Sequence, residues 1–224
     1  MNSARERLPV VVLISGRGSN LRAIATEARA ATLPVDIRAV VSDRADAAGL
    51  DWARDAGLHC VVLSPRQFRD RAHYDEALAA LVASFEPGLV VLAGFMRILG
   101  PAFVDRFGDR MLNIHPSLLP RHRGLDTHRR VLEAGEREHG ASAHFVTREL
   151  DGGPVVIQAS VPVRDDDDEA SLAERVLAVE HRIYPEAIRW FAAGRLRCRD
   201  GAAWLDGRRL DRPVHIEALD ETTS

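Results

Sequence analysis

Val10-Val11-Val12-Leu13-Ile14-Ser15-Gly16-Arg17-Gly18-Ser19-Asn20-Leu21 sets the architecture: five apolar residues run straight into a glycine-rich polar turn, and helix-forming sequence follows. An apolar run bounded by such a turn reads as a buried strand, and Gly16 and Gly18 permit the tight exit from it. Ser19 and Asn20 can cap the helix that opens there. The alternation recurs outward from this unit, with strand-like runs at 37–41, 60–63, 89–93, 112–115 and 143–146. Helix formers with three- to four-residue apolar spacing fill 20–30, 47–56, 74–85, 102–107 and 127–133. These read as buried parallel strands joined by crossover helices, predicting an α/β fold with a doubly wound, mostly parallel twisted sheet and helices on both faces. A strand follows at 155–163, then a long helix at 171–193 ending before Gly194, then two β pieces at 196–199 and 203–205 around Asp200-Gly201. The acidic run 165–169 reads as solvated residues complementing the helix dipole. Nothing marks a second domain: 1–212 reads as one domain with halves at about 8–107 and 108–212, and 213–224 as a polar, disordered tail.

The composition excludes several mechanisms. All 30 Lys+Arg residues are arginine, so there is no Schiff-base lysine, no lysine for a standard P-loop and none for a protein kinase. A phosphate must be held by backbone N–H groups or arginine. Among 224 residues, 46% are hydrophobic and 28% charged with a net charge of −3, as in an ordinary soluble globular protein with no basic surface for nucleic acid. Cys60 and Cys198 form no C-x-x-C pair, which argues against a disulfide framework or a cysteine zinc site and fits a reducing cytoplasm. The N-terminus is polar, and the first apolar run is too short for a signal peptide or a membrane span.

In open α/β sheets ligands bind beyond the carboxyl ends of the strands, so the residues after each strand carry the candidate chemistry. The turn after the first strand resembles G-x-G-x-x-G with Leu21 in place of the third glycine. Its helix N–H groups suit an anion, a monophosphate better than a dinucleotide, and a capped turn without ligand is the other reading. Asp43 after the second strand can reach a ribose or cap a helix. Gly94-Phe95-Met96-Arg97-Ile98-Leu99 can wall a pocket for a flat heterocycle, or be core at a helix start.

Asn113-Ile114-His115-Pro116-Ser117-Leu118-Leu119-Pro120 is the most informative stretch. Residues two apart on a strand face the same way, so Asn113 and His115 share a side opposite Ile114. Polar side chains there cost free energy unless paired or used. The Asn113 amide can donate to a developing oxyanion and His115 can exchange a proton near neutral pH, a combination suited to acyl transfer. In Thr147-Arg148-Glu149-Leu150-Asp151-Gly152-Gly153-Pro154, Asp151 is a turn residue or, if the loop folds over the sheet, a partner favouring protonated His115. His144 can reach the same place or be a structural histidine. His59, His73 and His122 show no ligand spacing and read as surface residues. Amide, imidazole and carboxylate with no candidate serine or cysteine nucleophile mean that the substrate supplies the nucleophile, and an amine suits.

The motifs at 13–21, 92–99, 112–120 and 144–154 resemble the folate-dependent phosphoribosylglycinamide formyltransferases, or glycinamide ribonucleotide transformylases, over residues 10–210. The resemblance implies a formyltransferase, Rossmann-like fold, with a phosphate-binding first half and a catalytic, folate-binding second half. It implies direct formyl transfer from 10-formyltetrahydrofolate to the glycyl amine of glycinamide ribonucleotide in purine (IMP) synthesis, without metal or covalent intermediate. Asn113, His115 and Asp151 are then catalytic. Gly18, Ser19 and Asn20 hold the phosphate and ribose end, and Glu180 the ribose hydroxyls. Arg71, Met96, Arg97, Ile98, Leu99, Asn113, Thr147 and Asp151 line the folate pocket, with His144 behind the trio. Arg148 and Asp126 depart from the pattern, standing where an acidic residue and a histidine are common.

Related readings on the same core are a formyltetrahydrofolate hydrolase and a methionyl-tRNA formyltransferase. The first carries a preceding regulatory domain and the second a C-terminal barrel, for which 1–7 and 213–224 leave little room; the net charge also disfavours a tRNA partner. A non-catalytic nucleotide-binding module would leave the polar trio without purpose. The expected partners are small molecules, not nucleic acid or membrane, for a monomer or homodimer in the cytoplasm.

Overall fold

The structure, a computed structural model, describes residues 7–217. In chain order the elements are β1 (Leu8–Ile14), α1 (Ser19–Arg29), β2 (Val35–Ser42), α2 (Ala48–Asp55), β3 (Cys60–Val62), α3 (Arg71–Ser84), β4 (Leu89–Leu92), α4 (Pro101–Phe107) and β5 (Met111–His115). They continue with α5 (Thr127–Glu133), β6 (Glu138–Phe145), β7 (Val155–Pro162), α6 (Glu169–Ala192), β8 (Leu196–Arg199), β9 (Ala202–Leu205), β10 (Arg208–Arg209) and β11 (Val214–Glu217). The main sheet runs β11-β7-β6-β5-β4-β1-β2-β3, and β8 to β10 form a small antiparallel sheet.

The two-residue period of β1 builds both faces of this sheet. Val10, Val12 and Ile14 pack with Leu21 and Ile24 of α1, Leu50 of α2 and Ile183 of α6, whereas Val11 and Leu13 meet Leu78 of α3 and Phe103 of α4. The sheet is therefore doubly wound, as expected. Tyr184 of α6 is buried, with its hydroxyl 2.9 Å from the carbonyl oxygens of both Leu92 and Leu112, tying the helix to β4 and β5. Among the described residues no helix is long and apolar enough to cross a membrane.

Three expectations are corrected. From β3 to β5 all pairings are parallel, but β6 is antiparallel to both β5 and β7. The connection 146–154 between β6 and β7 is too short for a parallel crossover, which needs about a dozen residues or more, so these two neighbouring strands must run antiparallel. The loop carrying Asp151 thus departs beside the start of β5, where Val146 N–H donates to Met111 O at 3.0 Å, and not from the carboxyl edge. The tail read as disordered contains β11, whose Val214 and Ile216 pair in parallel with β7; 218–224 and 1–6 lie outside the described residues. In the acidic run, Asp168 does cap α6 by accepting from Ser171 N–H at 2.8 Å. Asp167 is not solvated: it is buried 2.8 Å from the Arg175 guanidinium, which holds its carboxyl far below the usual range.

Candidate active site

The phosphate-type turn is built by close backbone contact. Gly18 stands before α1 in the left-handed conformation, φ 71°, and a Cβ there would meet Gly49 Cα at 2.8 Å. Gly49 N–H in turn donates to Gly16 O at 2.9 Å, laying the turn against the start of α2. Neither Ser19 nor Asn20 caps α1, contrary to one sequence reading. The first-turn N–H groups are left for an anion. Asn20 points inward instead: its Nδ2–H donates to Glu180 Oε2 at 2.6 Å, and its Oδ1 is buried without a partner among the described residues. Burial pushes the Glu180 carboxyl up to about 7, against the opposing hydrogen bond from Asn20 and the charge of Arg17. Gly18, Ser19, Asn20 and Glu180 are thus brought together. Asp43 does not cap α2; it accepts from Ser15 Oγ at 2.6 Å, and Ser15 Oγ accepts from Met96 N–H at 2.9 Å, bracing the loops after β1, β2 and β4.

The strand alternation of β5 holds as read: Leu112 and Ile114 face the α6 side while Met111 faces the α3–α4 side, which leaves Asn113 and His115 on the latter. The antiparallel register sets Asn113 opposite His144. His144 Nδ1–H donates to Phe145 O at 2.9 Å, so its Nε2 carries a lone pair and accepts from Asn113 Nδ2–H at 3.0 Å. Burial lowers the His144 pKa to about 4 and keeps the ring neutral. One Asn113 N–H remains free of this bond. Asp151 returns over the strand, with Oδ2 3.5 Å from His115 Nδ1 and Oδ1 3.8 Å from His144 Nε2. Gly124 N–H donates to the same Asp151 Oδ2 at 2.9 Å. On its other side His115 Nε2 lies 3.0 Å from His122 O. A carbonyl only accepts, so Nε2 carries the hydrogen and Nδ1 is the nitrogen available for proton exchange.

A cleft opens beside this cluster, floored by Leu92, Phe95, Leu99, Val104 and Val146. Asn113, His144 and Asp151 line it too, together with Arg97, Ile98, Thr147 and Arg148. Two predicted pocket residues are not brought into it. Met96 is exposed to solvent, and Arg71 borders a separate groove between α3 and α4, its Nη2 donating to Ile98 O at 2.7 Å from behind the pocket wall. Of the two departures from the resemblance, Arg148 pairs with Asp105 at 2.8 Å, and Asp126 precedes α5 in a left-handed conformation, paired with Arg129.

A formyl transferase family profile matches residues 8–188. The chain belongs to the formyl transferase family. Within that family it is 54% identical to the phosphoribosylglycinamide formyltransferase of Escherichia coli over 95% of this chain and 99% of that protein. It superposes with a TM-score of 0.89, at 48% identity, on the solved phosphoribosylglycinamide formyltransferase of Coxiella burnetii, covering 94% of this chain and 99% of that one. A formyltetrahydrofolate deformylase from Pseudomonas syringae shares the fold at a TM-score of 0.82 and 24% identity, covering 89% of this chain and 66% of that one.

Sequence reasoning missed His122. It is no surface residue: its side chain is 13% exposed, its Nε2–H donates to Glu136 Oε1 at 2.6 Å, and its carbonyl meets His115. A role played through a main-chain carbonyl leaves no mark in side-chain spacing.

Proposed function

We propose that the chain transfers the formyl group of 10-formyltetrahydrofolate to the amine of glycinamide ribonucleotide, giving formylglycinamide ribonucleotide and tetrahydrofolate in purine synthesis. The observation that carries the reading is that Asn113 and Asp151 line a cleft with no serine or cysteine among its described lining residues, with His115 Nδ1 3.5 Å from Asp151 Oδ2. That arrangement suits acyl transfer to a nucleophile brought by the substrate. The apolar floor fits a flat heterocycle and its polar end fits a formyl group, while the anion-binding turn accounts for the phosphate.

The donor supplies the activated formyl carbon. The free N–H of Asn113 faces the oxygen on which negative charge develops, a contact worth about 10²–10³ in rate. As the amine forms its bond to the formyl carbon, His115 takes up or passes on the surplus amine proton at Nδ1, since Nε2–H is engaged by His122 O. The bond from formyl carbon to folate nitrogen breaks, and that nitrogen leaves with a proton. Asp151 steadies the imidazolium between these events. Gly18, Ser19 and Asn20 hold the phosphate and ribose end, Glu180 a ribose hydroxyl, and Arg97, Ile98, Leu99 and Thr147 the folate. Small water-soluble substrates and the free thiols Cys60 and Cys198 fit a cytosolic setting.

The test supplies 10-formyltetrahydrofolate and follows release of deformylated folate with and without glycinamide ribonucleotide. Release that requires the ribonucleotide, with the formyl group recovered on its amine, is expected. Equal release without it would make the chain a hydrolase.

A further inference from the structure

The loop 121–124 touches both members of the proposed acid–base pair. His122 O accepts from His115 Nε2–H at 3.0 Å, and two residues on Gly124 N–H donates to Asp151 Oδ2 at 2.9 Å. One short segment therefore fixes the tautomer of the imidazole and the position of the carboxylate. It does so in a backbone conformation that residues with a Cβ seldom adopt, because His122 has φ 51°, in the left-handed region. Something must hold it there. His122 Nε2–H donates to Glu136 Oε1 at 2.6 Å, and Arg121 Nη1 donates to Glu136 Oε2 at 2.9 Å, so the two carboxylate oxygens grip consecutive side chains of the loop. Glu136 follows Gly135 at the end of α5, its backbone N–H bonded to Val131 O at 3.2 Å, and its side chain is 23% exposed. The base of the loop is fixed independently, since Ser117 Oγ–H donates to Arg121 O at 2.7 Å.

We infer that Glu136 is a positioning residue for catalysis, holding the His122 carbonyl on His115 and the Gly124 N–H on Asp151, so that His115 presents Nδ1 as its proton-exchanging nitrogen. This rests on the formyl-transfer reading for its kinetic consequence and on the structure alone for the tautomer. Without the grip, the left-handed turn relaxes, His115 Nε2 loses its fixed acceptor, and the neutral ring samples the Nδ1–H form, in which the nitrogen facing Asp151 is already occupied.

The experiment compares Glu136→Ala with Glu136→Gln, which keeps a carbonyl oxygen for His122 Nε2–H. The expected result for Glu136→Ala is a fall in kcat of about tenfold, with KM for both substrates within about twofold, as loss of alignment without loss of binding predicts. Glu136→Gln should stay within about twofold of wild type. Nitrogen-15 chemical shifts of His115, assigned by their loss in His115→Asn, should report the Nε2–H tautomer in the wild-type and Glu136→Gln proteins and a mixture in Glu136→Ala. An unaltered tautomer with unaltered kcat in Glu136→Ala overturns the inference, as does an equal kcat loss in both variants, which would make the carboxylate charge the active quantity. Should Glu136→Ala fail to fold, His122→Ala keeps the strained left-handed turn but removes the ring that Glu136 grips, and must show the same kcat loss and tautomer mixture. A wild-type protein inactive in formyl transfer would refute the proposed function, whereas the tautomer measurement needs no substrate and still decides the role of Glu136.

Discussion

Replacing Gly18 by alanine tests how the phosphate turn is made. The left-handed φ of 71° costs a residue with a Cβ about 1–2 kcal/mol. The added methyl also meets Gly49 Cα at 2.8 Å, a backbone atom with no rotamer to turn aside. The starts of α1 and α2 must separate, adding about 1–3 kcal/mol of overpacking. The sum, about 2–5 kcal/mol, is a large share of the roughly 5–15 kcal/mol that holds a domain folded. Gly49→Ala meets the same contact from the other side, at 2.9 Å from Gly18 Cα and 3.0 Å from Gly16 O, without a left-handed φ. It should lose less, by about the backbone share of 1–2 kcal/mol. Gly16→Ala is the control: nothing lies within 4 Å of its Cβ, so its stability should change by no more than about 0.5 kcal/mol. Urea unfolding gives the stabilities, and KM for glycinamide ribonucleotide at saturating donor, expected to rise about tenfold in Gly18→Ala, reports the displaced anion cradle. If Gly18→Ala matches Gly16→Ala in both measurements, the cradle is not built by this contact.

His115→Ala and Asp151→Asn should each lower kcat by about 10²–10⁴ while cooperative thermal unfolding persists; wild-type turnover in either would remove the pair from the mechanism. Stability should depend on pH in two opposed ways. The Glu180 carboxyl, raised by burial from 4.5 to about 7, binds a proton in the folded state that the unfolded chain has released, so its contribution is complete below pH 4.5 and lost as pH rises through about 7. Glu180→Gln should therefore gain on wild type by about 3 kcal/mol between pH 4.5 and pH 8 in urea unfolding, and a constant difference would contradict this. Burial lowers His139 to about 3 and His144 to about 4, so their contributions are complete above 6.5 and lost as pH falls, each with a slope up to about 1.4 kcal/mol per pH unit. Tyr184→Phe, which leaves the Leu92 and Leu112 carbonyls without the hydroxyl, should cost about 1–2 kcal/mol by the same measurement.

The parts of the fold legible in the sequence are those set by local signals. Runs such as Val10 to Ile14 followed by glycine mark strands whichever sheet they enter, and α5 and β8 begin and end where composition places them. Strand direction is not local. Nothing in the Ala143 to Phe145 run distinguishes a parallel from an antiparallel partner; the short following loop fixes its direction against β7, while the long connection 116–137 leaves its direction against β5 open. β11 had a signal too, since Val214 and Ile216 alternate with His215 and Glu217, but the polar surroundings outweighed a four-residue pattern. At the site, Asn113 and His115 were legible because polar side chains two apart on a buried strand demand an explanation. Arg71 and Met96 do not line the cleft as expected: the Arg71 guanidinium donates to Ile98 O, and Met96 turns to solvent.

The antiparallel direction of β6 also bears on how the chemistry is assembled. Were β6 parallel to β5, the residue opposite Asn113 would precede a loop leaving the His115 end, and Asp151 could lie near His115 with no run back along the strand. In the antiparallel arrangement, Phe145 pairs with Leu112 and His144 with Asn113, so the loop starts at the far end of β5 and must pass His144 before Asp151 reaches His115. That path closes one wall of the cleft with Val146 and Thr147 and delivers the carboxylate at the wall's end. Gly153 makes the path possible: a Cβ there would lie 1.9 Å from Phe145 O, so only glycine lets the returning chain lie this close to the strand it has left. The Asp-Gly-Gly sequence is therefore more than a turn, since its second glycine sets how tightly the loop folds back and hence where Asp151 arrives.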